Sequence, residues 1–76
     1  MTFTEHITLL QVPEPCTLAA LLESVDVTVT SQPGADPAGK PRLRLTLTGA
    51  EAEQVAAARQ MILLACLRAG IPAVVV

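Results

Sequence analysis

The chain predicts an α+β fold: a two-layer sandwich in the order β-α-β-β-α(-β), with an antiparallel sheet and its helices on one face. Three observations predict it. Residues 25–30 and 42–48 alternate apolar and polar residues with the period of a half-buried strand. Residues 50–69 carry a helical apolar face that stops at Gly70. The order strand, helix, strand, strand, helix then sets helix faces against one sheet face, which makes a two-layer sandwich.

The first element spans Glu5–Val12 and is rich in β-formers. Ile7 and Leu9 point one way, Leu10 and Val12 the other, which predicts a central strand or a bulge near Leu10. Pro13 and Pro15 end it, because proline cannot continue a ladder. A short helix over 15–23 follows. Proline fits its first turn, whose N–H has no partner, and Leu18, Leu21 and Leu22 form one apolar face.

Ser24 leads into a second strand over 25–30, with Val25, Val27 and Val29 inward. Residues 31–41 hold three prolines and two glycines and are expected to be a flexible loop. The third strand spans 42–48, with Leu43, Leu45 and Leu47 inward. Thr48 and Glu51 match a capping box for the second helix, 50–69, whose core face is Val55, Ala58, Ile62, Ala65, Cys66 and Ala69. Pro72 forbids continuation, and Ile71–Val76 reads as a last strand.

Residues 1–76 form a single small domain. A chain this short buries only about 60% of its unfolded surface, so a partner or staple is expected. Hydrophobic residues make up 51% and charged ones 16%, so an aliphatic core is available but little charge is left for the surface. The net charge of −2 disfavours nucleic acid, whose binders cluster Lys and Arg. Cys16 and Cys66 sit among apolar neighbours and are expected to be buried, reduced thiols. The N-terminal MTFTEHITLLQV has no basic region and no apolar run ending in small residues, so a cytoplasmic location is the expectation. Arg59, Gln60, Arg68, Gly70 and Pro72 interrupt the apolar C-terminal third, which excludes a membrane span of about 20 residues.

The segments ITLLQVP (7–13), RLRLTLTG (42–49) and EQVAAARQMI (53–62) resemble a type I KH domain. The resemblance implies residues 31–41 as the variable loop. The Gly-x-x-Gly loop with which such domains grip a nucleic-acid backbone is absent, because no glycine lies between Val12 and Val25. No binding residue can therefore be carried over, and the resemblance is to a degenerate KH-like domain, which implies a protein-interaction or scaffolding unit. Counting the last strand, the element order also matches the ferredoxin-like arrangement.

Gly34 to Pro41 fits the start of a phosphate-binding loop, but Pro41 stands where Ser or Thr should open a helix. His6 is the sole histidine, and its neighbour Glu5 faces the opposite side of a strand. One histidine and two distant cysteines do not supply the four ligands of a zinc site. Glu51 and Glu53 suit a helix N-terminus, and the other carboxylates are scattered. No catalytic, cofactor-binding or metal site is expected, and no small-molecule substrate is evident.

Two surfaces remain. The outward side of the hairpin gathers Thr28, Thr30, Arg42, Arg44, Thr46 and Thr48. With Lys40, Arg42 and Arg44 make a small basic patch, the alternative reading being single-stranded RNA binding, though the face lacks stacking aromatics. The run Met61–Leu67 is seven consecutive apolar residues and wraps the whole helix circumference. Met61, Leu63, Leu64 and Leu67 cannot all reach one sheet, so they are the candidate interface for a protein partner or a homo-oligomer. The sequence thus points to a non-enzymatic assembly module.

Overall fold

The computed structural model describes residues 1–23 and 25–75; Ser24 and Val76 lie outside the described residues. The elements run β1 (Phe3–Leu9), α1 (Pro15–Leu22), β2 (Thr28–Ala35), β3 (Pro41–Gly49), α2 (Ala52–Ala69) and β4 (Ala73–Val75). The four strands form one sheet in the order β2-β3-β1-β4, with every pairing antiparallel. Each helix therefore joins strands that are parallel but separated by a third, the split βαβ connection of the ferredoxin-like arrangement. The two-layer α+β sandwich is the architecture of the chain.

The core forms where the alternation of the strands meets the helical period. Ile7 and Leu9 of β1 stand beside Leu43, Leu45 and Leu47 of β3 on one sheet face. Val55, Ala58, Ile62 and Cys66 of α2 cover them, and Leu21 of α1 joins the same cluster. Leu18, Leu22, Val25, Val27 and Val29 pack around its border. Among the described residues both helices lie on this face of the sheet.

The structure moves several boundaries. The segment 31–35 is strand, not loop: β2 extends to Ala35, paired with Pro41, and only residues 36–40 turn. Two features allow this. The Asp36 N–H donates to the Lys40 carbonyl at 3.0 Å, and Pro33 occupies an edge position, where a missing N–H costs no ladder bond. Strand β2 also begins later than expected, at Thr28. Strand β1 ends at Leu9, so residues 10–12 are not strand and no bulge forms at Leu10.

The expected capping box is also absent. Glu51, not Thr48, is the N-cap of α2, and no side chain caps it. Thr48 is still paired within the sheet, opposite Thr4 and Thr28, so its hydroxyl never reaches the helix. The C-terminus is capped as expected. Gly70 is left-handed (φ 73°), its N–H donates to Leu67 O, and the Ile71 N–H donates to Cys66 O at 2.8 Å. This is the Schellman arrangement, where a glycine avoids the β-carbon penalty. The chain then turns back, and β4 pairs along Ile7–Leu9 of β1.

Candidate functional site

The four apolar candidates of α2 divide between two sides of the helix. With Ile62 and Cys66 facing the sheet, a rotation of 100° per residue sends Met61 and Ala65 toward α1, and Leu63 toward β4. Leu64 and Leu67 stand on the outer ridge. Met61, Leu64, Ala65 and Arg68 line a shallow groove of about 210 Å³ with Ala20 and Leu21 of α1. Leu63 and Leu67 line a second groove of about 490 Å³ with Leu10, Ile71, Pro72, Ala73 and Val74.

Exposure separates them further. Leu67 is 76% exposed, Leu64 52% and Met61 43%, whereas Leu63 is half-buried and packs against the core. Leu63 therefore serves the fold as well as the surface. Val74, which lines the second groove, and Val75, at 43% and 48%, carry the exposed apolar surface onto β4. The signal for them was the β-branched C-terminus, but nothing local said that it would form the rim of the sheet.

Two of the three basic candidates, Arg42 and Arg44, share the open sheet face. Lys40 lies in the turn after β2, and Arg42 and Arg44 on β3 line a depression of about 380 Å³ with Thr8, Gln32 and Asp36. The two arginines are in different states. Arg42 Nη2 donates to Asp36 Oδ2 at 2.7 Å, and its Nη1 donates to the Leu10 carbonyl. Asp36 also accepts the Lys40 backbone N–H at 2.8 Å through Oδ1. Arg42 is therefore a strut between the hairpin turn and the end of β1, with its charge balanced. Among the described residues, Lys40 and Arg44 have no ion-pair partner.

The remaining polar candidates fall apart as the strand geometry requires. Glu5 and His6 face opposite sides of β1. Arg59 of α2 donates through Nη1 to Glu5 Oε1 at 3.4 Å. His6 Nδ1 and the Thr46 hydroxyl, directly opposite on the other face, are hydrogen-bonded at 3.3 Å. Gly34 lies in strand β2 and Gly39 in the turn, so the Gly34–Pro41 segment is a hairpin end and not a phosphate loop before a helix. Among the described residues no group of three His, Cys, Asp or Glu could hold a metal ion. Among the described residues no helix is long and apolar enough to cross a membrane.

The two cysteines have unlike environments, which corrects the expectation of two buried thiols. Both are free; Cys66 is buried, but Cys16 is exposed at the start of α1. A helix presents only one face to the core, and Leu18, Leu21 and Leu22 take that face of α1. Burial pushes the Cys66 thiol above its ordinary pKa.

No protein-family model matches the chain, and none of the curated proteins is similar to it.

Proposed function

We infer that this chain is a non-enzymatic protein-interaction module that assembles with a second copy of itself through α2. One observation carries the reading. Met61, Leu64 and Leu67 lie within two turns of one helix and are 43%, 52% and 76% exposed. Burying such a side chain fully gains about 1.5–3 kcal/mol, so a surface of this kind favours being covered. The small side chains of Ala20 and Ala65 leave the groove beside Leu64 open to an incoming apolar ridge.

The KH-like resemblance of residues 7–13 and 42–62 supports the same reading. One helix, α1, is described between β1 and β2, and no glycine lies in that interval. The nucleic-acid grip of that family has no counterpart, which leaves the scaffolding role of a degenerate KH-like domain. Two free thiols suit a reducing, cytoplasmic setting.

Light scattering behind a sizing column tests the reading. The expected result is a particle of more than one chain whose mass falls when Leu64→Glu and Leu67→Glu are combined. Circular dichroism should keep the same secondary structure, because both side chains are exposed on the single chain, while the thermal midpoint should fall with the loss of the stabilising assembly. A wild-type chain that stays monomeric at high concentration overturns the reading, and so does a mass that the double substitution leaves unchanged.

A further inference from the structure

We propose that the free edge of β4 is a second self-association surface, pairing antiparallel with β4 of another copy to join two sheets into one. This goes beyond the α2 contact and rests on different atoms.

The hydrogen-bond phase of the sheet shows which peptide groups face out. The Leu10 N–H donates to the Pro72 carbonyl at 2.8 Å, in the same register that sets Thr8 opposite Val74. Hydrogen-bonded pairs alternate along an antiparallel ladder, so Val74 turns its N–H and C=O toward Thr8. Ala73 and Val75 then turn theirs away from β1, and the strand order has no further strand there.

These outward groups complement a second copy of themselves. When two β4 strands meet about a two-fold axis through Val74, Ala73 of each lies opposite Val75 of the other. That is a hydrogen-bonded position on both strands, so each outward N–H meets an outward C=O. The two Val74 residues form the central non-hydrogen-bonded pair, with Cα atoms about 4.5 Å apart and side chains in contact. The contact is isologous and closes on itself. No charged residue lines the adjoining groove, so nothing there selects a charged peptide or repels a like copy.

The other edge of the sheet is interrupted by a proline at an outward position. Asp36 bonds Lys40 in the β2–β3 register, so the peptide groups of Val29, Ser31, Pro33 and Ala35 face outward from β2. Pro33 has no N–H to offer an incoming strand, which is how natural edges are blunted. β4 is short, at three residues, but has no proline at either outward position.

Two independent surfaces predict a wild-type assembly of four or more copies. Light scattering should find a Met61→Glu, Leu64→Glu variant, whose new charges lie in the groove beside α1 and not in the one beside β4, still dimeric through β4. Hydrogen exchange by NMR should then show the Ala73 and Val75 amides protected in that dimer and unprotected on dilution to monomer, with Val74 protected in both. Adding Val75→Pro removes an outward donor without touching a bond to β1, and should halve the mass. Val74→Glu, which sets like charges face to face at an already exposed position, should do the same if the proline variant fails to fold. A Met61→Glu, Leu64→Glu chain that is monomeric, or dimeric with Ala73 and Val75 unprotected, overturns the β4 pairing and leaves the α2 reading standing. A wild-type background in which Val75→Pro alone gives monomer supports β4 pairing and removes the α2 reading.

Discussion

Gly49 lies so close to Val55 that a β-carbon on the glycine would fall 2.9 Å from Val55 Cγ2. The same carbon would stand 3.2 Å from Cγ1 of Val27. The glycine is there for space rather than for backbone freedom, since its φ is not positive. It lets the end of β3, the start of α2 and the segment before β2 meet with no intervening side chain.

Gly49→Ala is therefore expected to cost about 1–3 kcal/mol, the usual penalty for forcing a methyl into a packed site. Urea unfolding checks it: the midpoint should fall while the slope holds. An unchanged midpoint would mean that Val55 and Val27 move aside freely, and that the contact does not constrain the fold.

Asp36 holds the far end of the hairpin through both carboxylate oxygens. Asp36→Ala is expected to cost about 1–2 kcal/mol, because the charged bond to Arg42 and the bond to the Lys40 amide are lost together. The change also leaves Arg42 without its counter-charge. If the open face has any affinity for phosphate, single-stranded RNA should bind the variant more tightly than the parent at low salt. Equal absence of binding in both would remove the RNA reading of Lys40, Arg42 and Arg44.

The cysteines give a reactivity contrast. At pH 8 a disulfide reagent should modify Cys16 quickly and Cys66 only on unfolding, because the latter is buried and its thiolate disfavoured. The linkage has a definite sign. The folded state raises the Cys66 pKa, so the contribution is fully present below the ordinary thiol range. It is lost as pH climbs through the folded value. Stability should thus decline at alkaline pH, and Cys66→Ala should flatten that part of the decline. Equal rates at the two thiols would contradict the burial of Cys66.

Much of the fold was legible because it is written in local periods. Leu43, Leu45 and Leu47 alternate with polar residues, and Val55, Ala58, Ile62 and Cys66 recur at helical spacing. These residues lie in the core, whereas Ala65 only borders it and Ala69, expected on the same face, is exposed at the helix end. Composition misled where pairing overruled it. Residues 31–35 hold Pro33 and Gly34 and read as loop, yet nine residues of β3 offered a ladder long enough to order them. Thr48 and Glu51 read as a capping box, yet the sheet claimed Thr48 first.

The candidate surfaces follow the same division. The sequence by itself determined that α2 carries more apolar residues than one sheet face can hide, because residue spacing alone decides which side of a helix each occupies. Only the tertiary structure decided that Leu63 is sheltered while Leu67 is bare. It also decided that Arg42 is neutralised by Asp36 and that β4 forms an open edge. These outcomes depend on strand order and on contacts between residues far apart in the chain. A local period records which way a side chain points, but not what the rest of the chain brings to meet it.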